Sequence, residues 1–257
     1  MTSTLDVTAY LDSLLGTASI PDYSNALNGL QFENDGTITK AAASVDFSSR
    51  VVNLAIEQRA DFLILHHGMF WNGLKPVTGS VYSRMRALIE NNIAVYSSHL
   101  PLDKHAEFGN NVLLSKALGI EPSGEFAQVK GLAIGLAGEA DIATSVLVER
   151  SKDFARKYGG GAVATGFSDD RVTRRWAMCT GAGASSETLE EAHALGVDTL
   201  IVGEGPHHTA VQADELGIVV IYAGHYATET LGVAALAQHV GEKFGIEWTM
   251  LSAPTGL

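Results

Sequence analysis

The chain has 257 residues and a formal net charge of −12. At roughly 150 residues per domain, that length gives one large domain or two modest ones, with enough chain to bury a core without staples. The 29 acidic residues, set against 17 basic ones, make a surface that repels phosphate backbones, which argues against nucleic-acid partners; the single cysteine, Cys179, excludes an intramolecular disulfide and a Cys-rich zinc site.

Hydrophobic residues make up 46% and charged residues 18%, a globular and not a disordered composition. No run approaches the ~18 consecutive apolar residues of a membrane span, and the first six residues carry no basic n-region. The expectation is a soluble, cytoplasmic protein.

In chain order, apolar residues at helical spacing predict a helix over 4–16. A loop through Pro21 leads to Asn28-Gly29 and a short Leu30-Gln31-Phe32 segment. Alternation follows: a strand over 41–45, a helix capped by Ser48 or Ser49, the apolar strand 62–65, a helix over 80–91, a strand over 93–97 and a helix over 109–118. The best domain boundary is near Glu121-Pro122-Ser123-Gly124, dividing the chain into 1–125 and 126–257. Beyond it the pattern predicts a strand over 130–136, a helix over 141–157, and strands over 162–166 and 176–180. A helix over 185–195, a strand over 199–202, a helix over 209–216, a strand over 218–223 and a helix over 229–244 complete it. Strands alternating with helices make this an α/β protein built on βαβ units.

An internal repeat says more than any single motif. A shift of 137 lays residues 44–68 on 181–205 without a gap: Ser48-Ser49 meets Ser185-Ser186, Asp61 meets Asp198, and Gly68 meets Gly205. A shift of 126 lays 92–120 on 218–246, where His99 meets His225 and Asp103 meets Glu229. Apolar matches recur between any two βαβ units. Matching histidines and acids at strand ends are what argue for two similar α/β domains from a duplication, with a metal site between them.

Ligands of open α/β sheets collect at the carboxyl ends of strands, and that is where these polar residues fall. His66-His67-Gly68 follows the 62–65 strand. Neighbouring histidines there are expected to point to opposite sides, so that each serves one of two adjacent ions, while Gly68 allows close backbone approach. His99-Leu100-Pro101-Leu102-Asp103 is expected to be a loop, since Pro101 interrupts a regular helix. Asp103 is either an N-cap or a ligand, and its repeat partner favours the ligand. In Gly224-His225-Tyr226-Ala227-Thr228-Glu229, His225 and Glu229 lie one helical turn apart if the helix starts near Tyr226.

His66, His67, Asp103, His225 and Glu229 offer nitrogen and oxygen donors without thiolate, which suits two divalent ions per chain chosen from Zn, Mn, Fe, Co or Ni. Two ions ~3.5–4 Å apart would hold a bridging hydroxide, with the pKa of water brought from ~15.7 towards ~7. Glu204 is a candidate general acid or base, or a partner orienting a ligating histidine. His207 and His99 are candidate proton carriers, and Trp71 a stacking surface for a substrate ring. Gly181-Ala182-Gly183 reads as a tight strand-to-helix turn and not a phosphate loop, since it lacks a third glycine and a Walker lysine.

Together these motifs resemble the NGG-interacting-factor-three-like dinuclear metal proteins, whose bacterial short forms often bear the label type 2 GTP cyclohydrolase I. The resemblance runs through Asn28-Gly29-Leu30-Gln31, His66-His67-Gly68, His99 to Asp103, Gly109-Asn110-Asn111, Gly181-Ala182-Gly183, Gly203-Glu204 and Gly224 to Glu229. It implies that His67 and Asp103 hold one metal, His66 and His225 the other, and that Glu229 bridges them. It also implies a hexameric ring and a nucleotide substrate, with purine ring opening of GTP. One departure stands out: Pro206-His207 occupies the place of the family's usual Ser-Glu pair, so either His207 stands in for that glutamate or the activity differs. The alternative function is a non-catalytic metal-binding or regulatory protein acting through protein partners.

Overall fold

The computed structural model describes residues 2–257, which fall into two compact units. The first runs through Leu102 and takes in Gly232–Ala253; the second comprises Asp103–Leu231 and Pro254–Leu257. This differs from the division at 125/126. The chain leaves the first unit at Asp103, and its last strand, Glu247–Met250, returns to pair in parallel with Lys40–Asp46. That return is a long-range pairing with no local sequence signal.

The first unit is built on a five-stranded sheet with Glu247–Met250, Lys40–Asp46, Phe62–His67 and Ala94–Ser97 in parallel and Gly29–Phe32 antiparallel at the edge. Helices Ser49–Glu57 and Gly79–Glu90 make the crossovers between the three central strands. All six residues of Phe62–His67 are buried, as both-faces-covered parallel strands require. Ala42, Leu63, Leu65 and Val95 pack one face of the sheet against Val51, Val52, Ala55 and Leu88 of the helices.

The second unit repeats the plan. Its six-stranded sheet has Val172–Cys179, Thr199–Val202 and Val219–Tyr222 in parallel, with Ser186–Ala194 and His207–Glu215 as the crossover helices. Side chains alternate cleanly: Trp176, Met178, Ile201 and Ile221 pack on one face, and Ala177, Leu200, Val202 and Val220 on the other. The edge of this sheet was missed by sequence. Gly124–Val129 and Leu132–Ala143 form a hairpin, so the 130–136 region contains its turn as well as a strand. Lys130 and Gly131 make that two-residue turn with φ of 53° and 81°, the left-handed pair such hairpins prefer.

The duplication has physical counterparts in the two units. Ser48 and Ser185, 137 residues apart, both cap helices, accepting from Val51 N and Thr188 N in the same extended conformation. Asp61 accepts the backbone N–H groups of Thr39 and Lys40, and Asp198 those of Arg174 and Arg175. In each unit a carboxylate before the middle strand thus satisfies backbone N–H groups of the neighbouring strand, at its start in the first unit and just before the parallel pairing begins in the second. No helix among the described residues is long and apolar enough to cross a membrane.

Candidate metal centre

In the first unit the histidine pair is not beyond the strand but is its last two residues. Their Cβ atoms leave on opposite faces, as in any strand. The strand stops at His67, however, and the imidazoles lean over its end until their centroids are 4.8 Å apart. The backbone directions are those expected, and the rings nevertheless lie side by side beyond the strand. His66 donates from Nδ1 to the carbonyl of Ser98 at 2.9 Å, and His67 from Nδ1 to Oδ1 of Asp46 at 2.9 Å. Asp46 is placed by register, since it lies opposite His67 in the parallel pairing. A carbonyl and a carboxylate can only accept, so Nδ1 carries the proton in both rings and Nε2 is the nitrogen that could hold a metal.

His99 is held the same way, from Nδ1 to Asp22 Oδ1 at 2.9 Å. The other oxygen of Asp22 accepts from Leu100 N at 2.9 Å and from Asn28 Nδ2 at 2.8 Å, and Asn28 Oδ1 accepts from His99 N at 2.7 Å. Burial opposes ionisation of Asp22, but the bond and charge of His99, followed by Asn28, hold its carboxyl below the usual range. Pro101 does not prevent a helix here: Leu100–Asp103 is a single helical turn, and proline is tolerated in a first turn where no N–H is needed. Gln31 explains the rest of its motif. Its Oε1 accepts from Met69 N at 2.6 Å, and a Cβ on Gly68 would strike its amide. The ring of Trp71 lies 4.8 Å from that of His67 and 4.6 Å from that of His99, with Tyr23 beyond it. Asn25 donates to the Trp71 carbonyl and anchors that loop.

In the second unit Asp103 is buried, and its Oδ1 accepts from Asn110 Nδ2 at 2.8 Å. The helix His225–Phe244 begins at His225, four residues earlier than the predicted 229. His225 and Glu229 are consequently one turn apart, with Nε2 to Oε2 at 3.0 Å. Glu204 sits 2.7 Å from Nδ1 of His225, a position that suits orienting that ring. The 181–183 turn is tight, as expected. Thr228 Oγ1 accepts from Gly181 N at 3.1 Å, and Gly181 O accepts from Glu204 N at 2.8 Å. His207 is exposed on the first turn of the helix His207–Glu215. Cys179 is a buried small hydrophobe whose thiol burial pushes up, followed by the charges of Asp103 and Glu229.

Burial pulls the His225 pKa down, but the bonds and charges of Glu229 and then Glu204 outweigh it and raise it to about 9. The ring of the metal-free chain is thus an imidazolium at neutral pH. Its pairing contributes in full below the unfolded value of ~6.5 and is lost as the pH climbs through about 9. The thermal midpoint of metal-free protein is expected to fall across that window. A Glu204→Gln/Glu229→Gln variant should not show that fall.

Sequence reasoning missed Asp46 and Asp22. Neither belongs to a motif, and Asp22 reaches its histidine across 77 residues of chain. The parallel register of the first sheet was the one signal that could have found Asp46, once the strands were aligned.

The fold and these donors define an α/β protein of two duplicated units, whose strand ends carry buried imidazoles and carboxylates of the kind that hold metal ions. The chain belongs to the DUF34/NIF3 family, described as NGG1p interacting factor 3, whose model matches residues 2–255. It is 36% identical over 252 residues to a protein of Deinococcus radiodurans named "GTP cyclohydrolase 1 type 2 homolog", covering 98% of this chain and 94% of that one. A protein of the same name from Archaeoglobus fulgidus is 38% identical, covering 98% of each. Among solved structures, protein ybgI, titled as of unknown function, superimposes with a TM-score of 0.89 at 32% identity over 100% of both chains.

Proposed function

We propose that this protein is a dinuclear metal-dependent hydrolase acting on a nucleotide, with the purine ring of GTP as the first target to test. One observation carries the reading. Each of the four histidines His66, His67, His99 and His225 has Nδ1 on a carbonyl or carboxylate oxygen, the support that ligating histidines receive. The donor chemistry fits as well: imidazole and carboxylate, with the one thiol buried and hard to ionise, suit Zn, Mn, Fe, Co or Ni. His66 and His67, with Asp103, His225 and Glu229, are the residues assigned to hold two ions. When bound, such a pair supplies Lewis acidity and a nucleophile at neutral pH.

The remaining roles belong to the chain itself. Asp46 and Glu204 accept Nδ1–H from His67 and His225 and fix their tautomers, and Asn110 holds one oxygen of Asp103 in place. Asp22 accepts Nδ1–H of His99, leaving Nε2 to take up and return a proton. Trp71, packed on His67 and His99, offers a flat surface beside them for a purine and excludes water from that side. His207, on an exposed turn, is assigned no step. The names of the Deinococcus and Archaeoglobus relatives support a nucleotide substrate. The hexameric ring implied by the family resemblance and the cytoplasmic location expected from the composition belong to the same proposal.

The test is elemental analysis of protein purified without added metal, combined with GTP loss and formate release. Near two ions per chain with metal-dependent GTP consumption is the expected result. Two ions without turnover of any nucleotide or phosphoester in a panel would replace this reading with the regulatory, partner-binding one. Absence of metal, with no uptake of Zn or Mn, would overturn both.

A further inference from the structure

We propose that Arg84 binds the phosphate chain of a nucleotide substrate at the carboxyl end of the first unit's sheet. The inference rests on the nucleotide reading above and deepens it, since that reading leaves the phosphates without a partner.

Arg84 lies on the helix Gly79–Glu90, one turn before Leu88, the buried residue that packs into the cluster of Val51, Val52, Leu63 and Leu65. Residues four apart on a helix share a face, so Arg84 is turned inward with Leu88. The helix crosses back from the end of Phe62–His67, and its earlier turns lie nearer the carboxyl ends of the strands, where ligands of such sheets collect. There the guanidinium carbon stands 5.4 Å from the ring centroid of Phe47. Phe47 directly follows the strand Lys40–Asp46, and its N–H donates to the His67 carbonyl at 2.9 Å.

Arg84 is half-buried, with Nε shielded from solvent, yet it donates no hydrogen bond and pairs with no carboxylate among the described residues. Arginine is seldom buried unpaired, and a buried donor without an acceptor costs free energy. Two other arginines show what a structural role looks like. Arg171, whose Nε is equally enclosed, gives Nη2 to the carbonyls of Asp198 and Gly217 at 3.0 and 2.7 Å. Arg86, two residues along the same helix, holds Glu90 at 2.7 Å. The Phe47 contact does not substitute for such a partner, because an aromatic ring engages the face of a guanidinium and leaves its N–H edges for an oxyanion.

The surroundings suit a phosphate. The helix Ser49–Glu57 begins just after Phe47, and Gly79–Glu90 begins at the same end of the sheet, with Thr78 making no side-chain cap. The positive ends of two helix dipoles therefore lie at the sheet end that carries the guanidinium. On a chain of net charge −12, a phosphate needs a local positive field of this kind to approach. The planar fork of arginine matches two phosphate oxygens at once. Trp71 and Phe47 both border His67, the first with its ring at 4.8 Å and the second through its backbone bond. A nucleotide with its base on Trp71 and its phosphates on Arg84 would lie across His67.

The experiment is calorimetric titration of the full chain, as purified, with GTP, guanosine and tripolyphosphate. Comparing wild type with Arg84→Met at equal metal content separates the arginine from any ion that also draws phosphate. Arg84→Met keeps the packing stem and should weaken GTP and tripolyphosphate binding about 10–100-fold, with guanosine changed by less than about twofold. Arg84→Lys, charged but without the fork, should fall between. Arg86→Met is the control and should bind all three as wild type does. Absence of tripolyphosphate binding in wild type, equal GTP and tripolyphosphate affinity in wild type and Arg84→Met, or an equal loss for guanosine, overturns the proposal.

A measurement on wild type guards against a misfolded variant. In heteronuclear NMR of the arginine Nε–H groups, tripolyphosphate should shift the resonance that Arg84→Lys removes. That resonance staying in place at saturating tripolyphosphate overturns the proposal equally. The two readings fail separately. Arg84-dependent tripolyphosphate binding in a chain that never turns over a nucleotide sinks the hydrolase reading alone, whereas metal-dependent GTP consumption with an unchanged KM in Arg84→Met sinks this one alone.

Discussion

Replacing Glu229 by alanine is expected to lower the metal content from about two ions per chain to about one and to reduce metal-dependent turnover by roughly 10³-fold or more. A bound ion contributes several kcal/mol to charge stabilisation, and each 1.36 kcal/mol is a factor of ten. Glu229 is the residue to remove because its side chain is almost wholly buried and its Oε2 stands 3.0 Å from Nε2 of His225. Without it, His225 loses the carboxylate beside its Nε2, while Glu204 still holds Nδ1. Elemental analysis and GTP consumption measured on one preparation check both halves. Glu229→Gln preserves the shape and removes the charge, so it should lose activity with little loss of fold. Full activity in either variant would exclude Glu229 from the centre.

Gly181→Ala should be nearly as damaging, by a different route. Gly181 has φ +63°, a left-handed backbone that costs an L-residue about 1–2 kcal/mol. A Cβ there would also strike the Glu229 carboxylate and stand 3.3 Å from Nε2 of His225. The turn cannot retreat easily, because Thr228 holds Gly181 N and Gly181 O holds Glu204 N. A total loss of about 2–4 kcal/mol follows, lowering the thermal midpoint by roughly 5–15 °C, together with about 10–100-fold weaker metal binding. Gly217→Ala is the control. Gly217 has φ +70° with nothing within 4 Å of its added Cβ, so it should show the backbone cost and leave metal binding unchanged. Equal metal affinity in the two variants would refute the steric account.

Much of this fold was legible because buried parallel strands write themselves as short apolar runs, and 62–65, 199–202 and 218–223 were all of that kind. The repeat was legible because caps and strand-start carboxylates need particular side chains: Ser48 and Ser185 do one job, Asp61 and Asp198 another. The hairpin over Gly124–Val129 and Leu132–Ala143 was lost because Pro122 and Gly124 suggested a domain boundary, and the Lys130-Gly131 turn forms the first two residues of the segment read as a strand. Glu247–Met250 was lost because its partner is some 200 residues earlier.

The sequence by itself determined which side chains lie at strand ends, since motif spacing and strand periodicity are local, and it determined the nitrogen and oxygen character of the donor set. Only the tertiary structure decided how each imidazole is turned. Asp22, Asp46, Ser98 and Glu204 reach their histidines through register and loop closure across 21 to 77 residues, and a pairing made through space leaves no periodic trace along the chain. The tandem rings His66 and His67 show the difference most directly. Alternation sets their Cβ atoms apart, and the end of a strand allows the rings to come together.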